Sequence, residues 1–113
     1  IDVWYDLAFL LMDLEARRLP DAANQVFNQY LLRTGDIGGL PLVPLFLSVR
    51  AAVRAKTSLA GAALEDTGAR RRALEDRAEE YLALAERCLA PAPPRLVAIG
   101  GRSGSGKSTV AWA

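Results

Sequence analysis

Between Asp2 and Leu19 apolar side chains occupy nearly every angle of a helical wheel. The polar positions Asp2, Asp6, Asp13 and Arg17 are spaced by four, seven and four, which gathers them on one narrow helical stripe. A helix this apolar belongs inside a larger domain, with the stripe turned to solvent or to a polar site. Pro20 disfavours helical geometry at Leu19 and is expected to end it. Asp21 then caps a second helix whose inner face is Ala23, Val26, Phe27, Tyr30 and Leu31, and Gly35 stops it. The stretch GDIGGLPLVP reads as a turn, with Pro41 and Pro44 tolerable only near a helix start. From there LFLSVRAAVRAKTSLAGAAL predicts a third helix burying Leu42, Leu45, Val49, Val53 and Leu59. Gly61 and Glu65-Asp66-Thr67-Gly68 loosen or close it. The fourth helix has the cleanest stripe, Leu74, Ala78, Tyr81, Leu82, Ala85, Cys88 and Leu89. Arg71–Glu75 and Arg72–Asp76 support it as four-apart pairs.

At APAPPR the pattern changes. Residues 90–95 form a stiff proline-rich connector, and LVAIG after it is a short, β-branched run of the kind found in buried strands. The expected fold class is therefore mainly α: a helical bundle over 1–89, a linker over 90–95, and over 96–113 the first strand and loop of an incomplete α/β domain. A chain that opens at Ile1 and closes five residues after Ser108 reads as a fragment open at both ends.

The loop carries the candidate chemistry. Gly101-Arg102-Ser103-Gly104-Ser105-Gly106-Lys107-Ser108 satisfies the phosphate-loop (Walker A) pattern G-x-x-x-x-G-K-[ST]. Glycines let the backbone bend around an anion, and successive N–H groups turn inward to cradle a β-phosphate. Lys107 places a compact positive charge between β- and γ-phosphates, and the Ser108 hydroxyl is suited to ligate Mg²⁺. Thr109 stands in the first turn of the following helix, within reach of an α-phosphate, and the helix end adds partial positive charge. The expected cofactors are ATP and Mg²⁺, held by Gly101 to Thr109. The plainer alternative is a flexible Gly/Ser turn. A lone strand cannot satisfy its own backbone groups, and no second strand follows to supply a Mg²⁺-binding carboxylate. Catalysis by this chain alone is not expected.

Composition narrows the remaining classes. The 113 residues carry 14 basic and 13 acidic side chains, a net charge of +1 that gives no footprint for nucleic acid. Histidine is absent, which removes His-based metal sites and Ser-His-Asp triads. Cys88 is the sole cysteine, so no internal disulfide forms and a reducing, cytoplasmic setting is expected. Asp6 and Asp13 interrupt the most apolar segment, so no membrane span is expected, and the N-terminus lacks the charged, apolar and small-residue zones of a secretory leader.

The SGSGKST loop behind an apolar strand resembles the small P-loop kinases and AAA-family ATPases. The segment IDVWYDLAFLLMDLEARRL, with RAAVRAK further on, resembles the C-lobe of aminoglycoside phosphotransferase-like kinases. In this order the two resemble bacterial proteins that fuse such a phosphotransferase-like domain to a C-terminal P-loop domain. The resemblance implies an ATP-dependent phosphotransferase acting on an unidentified small-molecule acceptor. It casts Asp6 as a brace for the catalytic loop, against the alternative of a helix-start cap. Asp2, only four residues before Asp6, stands too close to be that family's metal ligand.

Other charged residues invite plainer readings. Arg70, Arg71 and Arg72 suit a solvated, ion-paired face. Arg50, Arg54 and Lys56 either border a substrate groove or are simply solvated. Cys88 belongs to the core, and Trp112 would pack under a complete sheet. No carboxylate cluster awaits a polycationic substrate. The competing reading is a non-catalytic helical interaction module with a vestigial loop. Apolar surface on the first helix and on LVAIG predicts self-association in either case.

Overall fold

Four helices carry the body of the chain in a computed structural model that describes residues 2–65, 68–90, 93 and 95–111. They are α1 (Val3–Ala16), α2 (Pro20–Thr34), α3 (Val43–Ala63) and α4 (Ala69–Leu89), and a short α5 (Lys107–Ala111) follows the glycine loop. A single 3₁₀ turn, Leu40–Leu42, leads into α3. The protein is mainly α, as its periodicities predict.

Small side chains decide how the helices meet. Ala51 and Ala55 on α3 are fully buried against Ala78, Tyr81, Leu84 and Ala85 on α4, with Met12 of α1 closing the cluster. Alanines at the contact let two helix axes approach closely, so α3 and α4 share the largest interface. α1 lies mainly on α3, and α2 packs on α1.

This arrangement corrects the face expected for α3. Leu42, Leu45, Val49, Val53 and Leu59 are 40–48% exposed, whereas Ser48, Ala51, Ala55 and Ala62 are buried. α3 has two apolar stripes. The bulkier one has the larger transfer free energy, but only the alanine stripe permits close packing against α4. On α4, Leu84 is buried while Leu82 and Leu89, placed on the inner stripe by their spacing, are about half exposed. Arg71–Glu75 pairs at 2.9 Å. Arg72–Asp76 makes no ion pair among the described residues.

The α1–α2 corner also departs from expectation. α1 ends at Ala16, before any influence of Pro20, because the chain turns left-handed at Arg18 (φ 61°). Leu19 N–H then donates to Leu14 O (3.0 Å) and Arg18 N–H to Glu15 O (3.0 Å), the paired bonds of a Schellman termination. Pro20 instead opens α2, at a position where its missing N–H has no helical partner to lose. Asp21 sits in the first turn of α2 and does not cap it. Gly35 does stop α2, in a left-handed conformation (φ 63°) with its N–H on Leu31 O at 2.9 Å.

The expected strand is not formed in this chain. Residues 95–101 pair with no other segment among the described residues, and Leu96 and Val97 are 96% and 80% exposed. A strand needs a partner for its backbone groups, and LVAIG has none here. Of the connector, Pro91, Ala92 and Pro94 lie outside the described residues, as do Asp66, Thr67 and Trp112. Ala90 leaves α4 in an extended conformation, in keeping with a proline-rich exit. Among the described residues no helix is long and apolar enough to cross a membrane.

Candidate phosphate-binding loop

Local chemistry shapes the bend from Gly101 to Thr109. A Cβ on Gly101 would stand 2.6 Å from Ser105 Oγ, so a larger residue there would have to turn the Ser105 hydroxyl aside where the two arms of the loop converge. Gly104 (φ 76°) and Gly106 (φ 81°) occupy left-handed backbone, which side-chain-bearing residues rarely adopt. Ser105 N–H donates to Arg102 O at 3.2 Å and closes the turn between them. α5 then begins at Lys107, and its first upstream bond is Val110 N–H to Gly106 O at 3.0 Å. The N–H groups of Lys107, Ser108 and Thr109 therefore precede the helix's own hydrogen bonding.

Lys107 is the half-buried member of an otherwise exposed loop. Its Nζ donates to Gly101 O at 2.8 Å and to Arg102 O at 2.6 Å, so the ammonium closes the ring from within. The structure thus brings Gly101, Arg102, Ser105 and Lys107 together. Ser103 and Gly104 form the exposed tip, and Ser108 and Thr109 lie exposed on the first turn of α5. A loop with two left-handed glycines, one ammonium and several uncommitted N–H groups suits a polyphosphate. Among the described residues no group of three or more His, Cys, Asp or Glu side chains could hold a metal ion.

The other candidates settle into the helical body. Asp2, not Asp6, caps α1, its Oδ1 accepting Trp4 N–H at 2.9 Å, while Asp6 is exposed in the first turn. The Arg50 guanidinium lies over Phe9 (3.9 Å to the ring centre) and Tyr5 (4.9 Å), and it donates to the Tyr5 hydroxyl at 3.4 Å. Arg54 lies over Tyr81 (5.7 Å) and 3.9 Å from Asp13. These arginines tie α3 to α1 and α4 and are less solvated than Lys56, which is exposed. Arg70, Arg71 and Arg72 are exposed, two of them in ion pairs, as their composition suggests. Cys88 is half-buried beside the core, and that burial pushes its thiol pKa up.

One arrangement escaped the sequence. Asp36 Oδ2 accepts from Trp4 Nε1 (2.8 Å) and from the Tyr30 hydroxyl (3.2 Å), fastening the α2–α3 connection onto α1. Gly39 lies flat against that indole, where a Cβ would fall 2.3 Å from ring atoms. The glycines of GDIGG signal a turn, but nothing in their spacing signals a partner 32 residues upstream.

The chain is 35% identical over 106 residues to uncharacterized proteins of Mycobacterium tuberculosis (strains H37Rv and CDC 1551) and Mycobacterium bovis. Each alignment takes in 94% of this chain but 20% of the relative, so the chain spans about a fifth of the length of the curated relatives it matches. No known family matches the chain, and no solved structure matches it.

Proposed function

We propose that Gly101–Thr109 is the ATP-binding loop of a cytoplasmic, ATP-dependent phosphotransferase. On this reading residues 1–89 are the helical end of an aminoglycoside phosphotransferase-like domain, and residues 96–113 open a P-loop kinase or ATPase domain. One observation carries the reading: Gly104 and Gly106 turn left-handed while Lys107 Nζ gathers on the carbonyls of Gly101 and Arg102. An ammonium held on its own loop is positioned to exchange two carbonyl acceptors for phosphate oxygens, with little further ordering of the side chain.

Mg·ATP supplies the transferable phosphoryl group. The chain's residues bind and orient it: the N–H groups from Gly104 to Thr109 face the phosphates, Lys107 compensates their charge, and Ser108 offers its hydroxyl to the cation. LVAIG becomes a strand when a neighbouring strand pairs with it, which fixes the loop's entry. The acceptor is a small molecule that binds elsewhere in the longer protein.

Equilibrium titration of a fluorescent ATP analogue against wild type and Lys107→Ala tests the assignment. Loss of one charge-assisted contact predicts at least about a tenfold weaker complex for the variant. Equal affinities would refute it.

The competing reading, a helical interaction module with an unused loop, draws on the exposed stripe Leu45, Val49 and Val53 of α3. Coding sequence beyond Ala113 separates the two: a strand ending in Asp and an arginine-bearing lid favour the kinase, and an immediate stop favours the module.

A further inference from the structure

From Gly101 to Thr109 the loop sets two charged side chains, Arg102 and Lys107, among glycines, serines and a threonine. No aspartate or glutamate occurs from Arg95 to Ala113, so this positive charge meets no carboxylate of its own segment. The two cations are placed differently. Lys107 Nζ lies on the carbonyls of Gly101 (2.8 Å) and Arg102 (2.6 Å). The Arg102 side chain is exposed, and it makes no ion pair or hydrogen bond among the described residues.

The backbone at Arg102 is nevertheless fixed beside that ammonium. Its carbonyl accepts from Lys107 Nζ and from Ser105 N–H (3.2 Å), so one oxygen anchors both the clasp and the turn. In a phosphate loop the backbone N–H groups cradle the α- and β-phosphates, while the lysine reaches the β- and γ-phosphates. A residue whose carbonyl touches that lysine starts its side chain at the γ end of the row. Arg102 is the longest side chain of the loop's entry arm, and the remaining positions there are glycine and serine.

Charge decides what Arg102 adds. Mg·ATP carries about two negative charges and Mg·ADP about one, and the difference resides on the γ-phosphate. Lys107 alone matches the diphosphate; Lys107 with Arg102 matches the triphosphate. The guanidinium stays protonated at any working pH, and its contacts to phosphate oxygens are charge-assisted. We infer that Arg102 binds the terminal phosphate and makes this loop select a nucleoside triphosphate over the diphosphate. The inference rests on the reading of Gly101–Thr109 as an ATP-binding loop. It adds to that reading a means of telling the phosphoryl donor from its spent form.

The probes are N-methylanthraniloyl-labelled ATP and ADP, titrated by fluorescence anisotropy in excess Mg²⁺ into the full-length protein. Wild type is compared with Arg102→Gln, Arg102→Lys and Lys107→Ala, all matched for helicity and melting temperature. The hydrogen bonds at residue 102 are made by its carbonyl and its side chain is exposed, so Arg102→Gln leaves the loop backbone in place. Wild type should prefer the triphosphate at least about tenfold. Arg102→Gln should lose about that factor for ATP while its ADP affinity changes less than about twofold, and Arg102→Lys, which keeps the charge, should retain the preference. A wild type without preference, an unchanged preference in Arg102→Gln, equal losses for both nucleotides, or Arg102→Lys behaving as Arg102→Gln would each overturn the inference. With ATP still bound by wild type and lost in Lys107→Ala, those outcomes leave the ATP-binding loop standing. Failure of wild type to bind either nucleotide at millimolar concentration would overturn both.

Discussion

Arg18 shows how one residue can set a corner. Its left-handed backbone ends α1 and lets Pro20 start α2 after a three-residue connection, Arg17 to Leu19. Replacing it by glycine removes steric strain but adds unfolded-state entropy, for a net gain of about 0.5–1 kcal/mol in chemical denaturation. A neutral or destabilising result would mean that contacts of the arginine side chain outweigh the strain. Cys88 gives a titratable counterpart. Burial favours its neutral thiol, so the folded pKa lies above that of a solvated cysteine. That contribution to stability is fully present below the unfolded pKa and is lost as pH rises through the folded one. Alkylation by iodoacetamide should therefore show its midpoint at higher pH in native protein than in urea. Coincident midpoints would place the thiol in solvent.

At the scale of elements, the sequence disclosed which segments are helical more reliably than which faces meet. Gly35, the apolar face of α2 and the boundaries of α4 follow from local rules: a left-handed stop, three-four spacing and a proline-rich exit. α3 does not follow, because its bulky stripe and its alanine stripe both have helical spacing, and the choice depends on a neighbour's shape. The end of α1 was misread for a related reason. Pro20 is a strong local signal, yet it acts on the helix after it. In the glycine loop the motif supplies candidate residues, whereas the clasp of Lys107 on the Gly101 and Arg102 carbonyls required coordinates. A pair of substitutions tests the face assignment. Ala55→Leu overfills the α3–α4 contact and should cost about 1–3 kcal/mol, while Val49→Ser on the exposed stripe should change stability by less than about 0.5 kcal/mol. The reverse order would restore the bulky stripe to the core.

Among the described residues, α5 packs on none of the other four helices. The radius of gyration is 18.3 Å, against about 13 Å for a compact domain of about 100 residues. Leu96, Val97, Leu45 and Val49 leave apolar side chains exposed.

Backbone amide spectra of the full-length protein, recorded by two-dimensional ¹H–¹⁵N NMR before and after addition of Mg·ATP, address the loop without relying on any substitution. Direct capture of phosphate by the bend predicts the largest shifts at the N–H groups of Gly104, Gly106, Lys107 and Ser108, with α2 unmoved. Saturating nucleotide that leaves those four signals in place would contradict the ATP-binding assignment.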